Sequence, residues 1–172
     1  AADEMRAMAD NHGIHLDVFP ISAPLWAAPD RIIQTLTNLL SNAIKFSPPN
    51  TAVEVRAQRI DADSLPLIEK QLNARGRDSL QAVLGISKTL LLISVKDQGP
   101  GIPDSKIEDI FRRFEQLDTS DIRRQGGTGL GLAICRNIVQ QHDGKIWAQS
   151  TVGIGSTFYV TLPMQAEFSL ER

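Results

Sequence analysis

An α/β domain is the fold class this sequence predicts, and three observations carry the prediction. Five stretches, near residues 15–21, 52–60, 90–95, 145–151 and 156–162, alternate apolar with polar residues or run apolar in strand lengths. Two longer segments, 30–46 and about 128–143, carry helical periodicity. Turn chemistry (P-P-N, D-Q-G-P-G-I-P, V-G-I-G) punctuates the boundaries between them. The 172 residues fit one domain and suffice to bury a substantial core.

Residues 2 to about 11 predict the last turns of a helix, stopped by Asn11 and Gly13. The alternation from His15 to Ile21 predicts a first strand, and a bend with Pro20, Pro24 and Pro29 follows. Asp30 then opens a long helix to about Phe46, which Ser47-Pro48-Pro49-Asn50 stops, since proline cannot continue it. Residues 52–60 alternate strictly enough for a strand with one buried face, and Leu90 to Val95 predict a more apolar one. Between them, residues 61–88 form a polar excursion. Leu65, Leu67, Ile68 and Leu72 fit one short amphipathic helix there, and Leu80, Val83 and Leu84 fit another. The excursion reads either as an insertion tolerated in a hairpin far from the site or as a docking surface. A short helix fits Asp104 to Phe111, and a charged loop spans Arg112 to Gly127. A helix from about Thr128–Gly129 ends at Asp143-Gly144, with Gly144 suited to a left-handed cap. Two closing strands meet through V-G-I-G, a hairpin signal.

Composition excludes several classes. Hydrophobic content of 42% and charged content of 22% are ordinary for a soluble globular protein. A formal net charge of −2 gives no broad footprint for nucleic acid. The longest apolar run, Leu90 to Ile93, falls far short of the roughly 20 residues that span a bilayer. Cys135 is the single cysteine, which excludes an internal disulfide and suits a reducing compartment; among Leu132, Ile134 and Ile138 it reads as a small buried hydrophobe. The opening A-A-D-E-M-R-A-M-A-D is helix-forming, without an initiator Met, and reads as cut from something longer.

Three constellations bear on chemistry. In N-L-L-S-N-A-I-K-F, residues 38–46, a rotation of about 100° per residue puts Ile33, Leu36, Leu40 and Ala43 on one face. Asn38, Asn42 and Lys45 share the opposite one. That face is either merely solvated or a ligand face. Asparagine is a poor helix former, so two of them one turn apart cost stability unless their amides bind something. An amide oxygen is a neutral hard donor suited to Mg²⁺. The second constellation, Asp97 to Ile102 (D-Q-G-P-G-I), follows an apolar strand: Gly99 and Gly101 permit close backbone approach, and Asp97 offers an acceptor. It reads equally as a plain turn. The third, Gly126 to Leu132 (G-G-T-G-L-G-L), runs into a helix whose N-terminus favours phosphate. The spacing of Gly127, Gly129 and Gly131 is not the Gly-x-Gly-x-x-Gly of a dinucleotide fold, and no Gly-Lys-Ser/Thr marks a P-loop.

In this order and separation, the three motifs resemble those of sensor histidine kinase catalytic domains. The asparagine helix is similar to their N box, D-Q-G-P-G-I to the G1 box, F-R-R-F (Phe111 to Phe114) to the F box and G-T-G-L-G-L to the G2 box. The ending Gly153 to Pro163 resembles their closing hairpin. The likeness covers residues 15–163 apart from 61–88. It implies a two-layer α/β sandwich, a mixed sheet of about five strands with three helices on one face, and a flexible ATP lid at residues 112–126. It implies that ATP and Mg²⁺ are bound and that Asp97 accepts from the adenine amino group, with Thr157 near the same base. Gly99, Gly101 and Ile102 belong to the same loop. Asn42 becomes the Mg²⁺ ligand, with Asn38 and Lys45 beside the phosphates and Lys45 the one candidate catalytic side chain. The backbone of Gly127, Thr128, Gly129, Leu130, Gly131 and Leu132 cradles the phosphate chain.

The implied activity is transfer of the γ-phosphoryl group of Mg-ATP to a histidine on a separate dimerisation domain, in two-component signalling with a downstream response regulator. The setting is cytoplasmic, whether or not the parent protein is membrane-anchored, and neither nucleic acid nor membrane is contacted. Residues 1–13 read as the tail of the dimerisation helix, and 14–172 as the ATP-binding domain. Two departures matter. Hydrolysing relatives carry a glutamate where Asn38 stands, and an amide cannot take a proton from water. Gln116 stands where many members have a phosphate-binding arginine, leaving Arg112, Arg113, Arg123 or Arg124 as substitutes. None of His12, His15 and His142 has the flanking sequence of a phosphoacceptor. The competing readings are a protein-serine kinase of the anti-sigma-factor type and a nucleotide-binding sensor without transfer activity.

Overall fold

The computed structural model describes residues 2–112 and 130–164. Its centre is a mixed five-stranded sheet in the order β1-β2-β3-β5-β4. Strand β1 (His15–Phe19) pairs in parallel with β2 (Ala52–Ile60), in the register Leu16 to Val53 and Val18 to Val55. A parallel pair needs a crossover, and helix α2 (Pro29–Phe46) supplies it. Strands β2 and β3 (Leu90–Lys96) pair antiparallel, β3 pairs with β5 (Gly155–Pro163), and β4 (Lys145–Thr151) closes the edge as a hairpin with β5.

Local chemistry explains the boundaries of α2. Pro29 occupies the first turn, where a missing N–H costs nothing. Asp30 and Lys45 sit at the ends whose partial charges they oppose. After Ser47, Pro48 and Pro49 forbid continuation. The buried stripe of α2 runs through Thr35, Leu39, Leu40, Ala43 and Ile44, while Ile33 is exposed. The apolar face is therefore rotated from the one predicted through Ile33, because β3 and α5 (Gly131–Gln141) together press on the 35/39/43 side.

Three helices, α1 (Ala2–Asn11), α2 and α5, cover one face of the sheet, as predicted. Ala9 of α1 is buried there beside Ile14, Leu16, Leu39 and Val53. Strand parity sends Leu91, Ile93 and Val95 of β3 into this core, with Phe158, Val160 and Leu162 of β5. Leu90 and Leu92 point the other way, which is why β3 reads as an unbroken apolar run.

That second face is covered in part by the 61–88 excursion, which folds as α3 (Leu65–Glu69) and α4 (Ala74–Leu84). Asn73 caps α4 by accepting from the Gly76 N–H at 2.9 Å. Leu80 and Val83 are fully buried against Ile60, Leu90, Leu92 and Trp147, and Trp147 stacks on Tyr159. The excursion is thus a second small core.

Two further boundaries differ from expectation. Residues 104–111 form two tight 3₁₀ turns, Asp104–Lys106 and Asp109–Phe111, instead of one helix. These turns bury Ile107, Ile110 and Phe111 together. After α5 the left-handed residue is Asp143 (φ 58°), not Gly144. Gly144 is required for another reason: a Cβ there would strike the carbonyl oxygen of Thr161.

Candidate functional site

The site gathers where the end of β3, the end of α2 and the β4–β5 turn converge. Asp97 continues the inward parity of Ile93 and Val95, and only 8% of it is exposed. Its Oδ1 accepts two backbone N–H groups, from Gly99 at 2.9 Å and Ser156 at 3.2 Å. Among the described residues Oδ2 accepts none. Burial raises this carboxyl above its ordinary value, and the two N–H groups only partly offset that. The result is an anchored acceptor with one oxygen to spare.

The glycines around it are there because the backbones nearly touch. A Cβ on Gly101 (φ 77°) would strike the Thr151 carbonyl, and one on Gly155 would strike that of Asp97. A Cβ on Gly99 would lie 3.0 Å from the carbonyl oxygen of Phe46. Polar side chains complete the frame. Gln98 accepts from the Ala52 N–H at 2.8 Å through its side chain, and its own N–H donates to Ser47 Oγ at 3.3 Å. Ile102, mostly buried, donates its N–H to Ser150 Oγ at 2.7 Å, and Ser150 is 2.7 Å from Ser156 Oγ.

On α2, Asn38, Asn42 and Lys45 are half-buried along one stripe. Helix α5 runs antiparallel to α2: Asn38 Nδ2 donates to the Gly131 carbonyl at 3.5 Å, Cys135 Sγ lies 3.7 Å from the Thr35 carbonyl, and His142 Nε2 accepts from the Ala28 N–H at 3.1 Å. The start of α5 thus faces the asparagine stripe. Leu130, Gly131 and Leu132 are placed there, while Gly127, Thr128 and Gly129 lie outside the described residues. So do Phe114, Gln116, Arg113, Arg123 and Arg124, and with them all of the expected lid except Arg112, which pairs with Asp109 at 3.2 Å.

Thr157 is not brought to the site. Strand parity places its side chain on the far face with Tyr159, where it lines a cavity of about 200 Å³ with Arg56, Ser94 and Lys96. Ser156, buried and bonded to Asp97 through its N–H, is the β5 residue at the site. Sequence reasoning missed it, although the inward parity of Phe158 and Val160 was the signal. Ser47, Gln98 and Ser150 were also missed, since nothing in their spacing marks them. Cys135 is fully buried and its thiol is pushed up to about 11 by burial, as a structural cysteine would be.

Comparison with known proteins bears on the family and the fold. Residues 27–166 match the family described as histidine kinase-, DNA gyrase B- and HSP90-like ATPases. The chain is 38% identical over 138 residues to the sensor histidine kinase WalK of Bacillus subtilis (strain 168), covering 80% of this chain and 18% of that protein. It is 40% identical over 139 residues to the circadian input-output histidine kinase CikA of Synechococcus elongatus, covering 81% of this chain and 15% of that one. The chain therefore spans less than a fifth of the length of these relatives. Among solved structures, full-length ShkA in complex with AMPPNP superposes with a TM-score of 0.68 at 26% identity, over 95% of this chain and 28% of that one. The mycobacterial sensor histidine kinase MprB shares the fold, with a TM-score of 0.67 at 23% identity over 95% of this chain and 89% of that one.

Proposed function

For a chain that belongs to the family of histidine kinase-, DNA gyrase B- and HSP90-like ATPases, with the fold of histidine kinase catalytic domains, we propose a phosphoryl donor. It binds Mg-ATP between α2 and the Asp97 loop and passes the γ-phosphoryl group to a histidine on a separate dimerisation domain. The observation that carries this reading is Asp97: a buried carboxylate fixed by two backbone N–H groups through one oxygen, while the other accepts from none of the described residues. An adenine amino group is a suitable donor to it, and a charged acceptor roughly doubles the strength of a neutral hydrogen bond.

The remaining residues fit a nucleotide. Among the described residues no cluster of three or more His, Cys, Asp or Glu could hold a metal ion. On this reading Mg²⁺ would be held by the Asn42 amide oxygen together with phosphate oxygens, which suits a cation that dehydrates reluctantly. When bound, it supplies charge neutralisation on the phosphates, and ATP supplies the transferred group. Lys45, three residues on, adds a flexible point charge on the same stripe. The start of α5, beside Asn38, adds the partial positive charge of a helix N-terminus.

Asn38 also decides what the site does not do. Its amide has no basicity to activate water, so hydrolysis is disfavoured; an imidazole is itself the nucleophile and needs no such base. The acceptor imidazole belongs to another domain on this reading. The three histidines here have structural partners: His12 Nδ1 is 2.9 Å from the Met8 carbonyl, His15 pairs with Asp17 at 3.0 Å, and His142 bridges Ile138 and Ala28. A response regulator then receives the phosphoryl group, and the reaction takes place in the cytoplasm. No described helix is long and apolar enough to cross a membrane.

Labelled ATP added to the chain with a separate histidine-bearing dimerisation hairpin tests the reading. Acid-labile, base-stable label on the hairpin is the expected result. Acid-stable label would indicate the protein-serine kinase, and nucleotide binding without label the sensor.

A further inference from the structure

Helices α3 and α4 lie on the far face of the sheet, yet one of their side chains reaches round the β4 edge to the other side. Arg75, in the first turn of α4, places Nε 3.0 Å from Glu108 Oε1 and Nη1 3.9 Å from Asp104 Oδ1. Both acids belong to the tight-turn segment that follows Gly101. That segment carries Ile107, Ile110 and Phe111 into the main core, where Phe111 meets Phe158 edge-on at 6.1 Å.

A second tie runs beside the first. The Asn73 N–H donates to Gln149 Oε1 at 2.8 Å, and Gln149 Nε2 donates to the Gln71 carbonyl at 3.4 Å. The next residue of β4, Ser150, accepts from Ile102 and contacts Ser156, whose N–H is bonded to Asp97. The helix itself cannot shift easily. A Cβ on Gly76 would come within 2.9 Å of Gln149 Oε1 and Trp147 Nε1, so α4 already lies as near β4 as its backbone permits.

We propose that Arg75 is a positioning residue for the Asp97 site, holding the segment 102–111 in place through Glu108 and Asp104. The proposal rests on the reading of that site as a nucleotide site. The segment needs such a hold because 3₁₀ turns have poorer hydrogen-bond geometry than an α-helix. It also carries three carboxylates, of which, among the described residues, only Asp109 pairs with cations of its own segment and its end, Lys106 at 4.0 Å and Arg112 at 3.2 Å. Without Arg75, Asp104 and Glu108 lose the cation that, among the described residues, draws them towards β4. The 61–88 excursion then contributes to the nucleotide site without touching it.

The test compares Arg75→Ala, Arg75→Glu and the charge-swapped Arg75→Glu/Glu108→Arg with the parent and with Gln81→Ala, which breaks a bond to Glu69 inside the excursion. Three quantities are measured: affinity for a fluorescent adenine nucleotide, hydrogen exchange of amides 104–111, and Tm. Arg75→Ala is expected to weaken nucleotide binding about threefold, the size of a partly exposed pair. Arg75→Glu should weaken it further, both should speed exchange at 104–111, and the swapped pair should restore both readouts. Gln81→Ala should change neither. Unchanged affinity and exchange in Arg75→Glu would overturn the proposal, as would a loss that follows Tm and is not rescued by the swap. If the parent binds no adenine nucleotide, the reading of the site fails; the exchange measurement, which needs no ligand, still decides whether Arg75 holds the segment.

Discussion

On the proposed reading, Asp97 trades stability for binding. In the unfolded chain its carboxyl titrates near the ordinary value of 3.8, and in the folded chain burial raises it. Between those two pH values the folded state keeps a proton that the unfolded state has released. Stability therefore falls as pH rises through that window, and above it the buried charge remains a cost. Asp97→Asn removes the cost and keeps an oxygen for the Gly99 and Ser156 N–H groups. Its Tm at pH 7 is expected to be no lower than that of the parent. Affinity for adenine nucleotide should nevertheless fall at least about tenfold, because a hydrogen bond to a charged group is worth roughly 1.5–3 kcal/mol. Acidification should weaken binding more in the parent, where Asp97 takes up its proton, than in the variant. Titration of both proteins with an ADP analogue, alongside thermal melts, checks this; equal affinities would remove Asp97 from the site.

At the scale of elements, α2 has two jobs on two faces in the proposed function, and its sequence displays only one of those faces cleanly. The Asn38, Asn42, Lys45 stripe was legible because asparagine is out of place on an ordinary surface helix. The buried stripe was less so: Ile33 has the right spacing but lies off the Thr35, Leu39 and Ala43 side that α5 and β3 cover, so it stays 43% exposed. Strand parity was legible in β5, yet the familiar hairpin ending drew Thr157 into the expectation where alternation favours Ser156. The frame around Asp97 was not legible. The bonds from Gln98 to Ala52 and from Ile102 to Ser150 join residues 46 and 48 positions apart, and only the folded sheet brings them together. If Asn42 supplies the metal ligand, Asn42→Ala should abolish the Mg²⁺-dependent part of ATP affinity and largely retain metal-free binding, because the adenine contact lies on another element. Binding isotherms with and without Mg²⁺ distinguish the outcomes, and equal Mg²⁺ dependence in both proteins would contradict the assignment.

For the whole molecule, the question is whether the far-face core is part of one cooperative unit or an appendage to it. Its helices were anticipated from Leu65 to Leu72 and Leu80 to Leu84, but not their burial against Leu90, Leu92 and Trp147. A run such as L-L-L-I does not say which of two faces each side chain will meet. The structure argues for one unit: the two cores share β3 and β5, residue by alternate residue, so neither can come apart without exposing the back of the other. Leu80 is fully buried in the far core, and Leu80→Ala should cost about 2–5 kcal/mol. Trp147, 2% exposed and stacked on Tyr159 at 5.2 Å, reports that core by fluorescence once Trp26, which is 79% exposed, is replaced by Phe. Far-UV circular dichroism reports the whole chain. In urea the two signals should move together, in the Trp26→Phe background and in its Leu80→Ala derivative alike, with Leu80→Ala lowering the midpoint of both by the same amount. Loss of the Trp147 signal ahead of the ellipticity would mean that α3 and α4 peel away first. A helix pair that peels away first would hold Asp104 and Glu108 only as firmly as its own small core holds together.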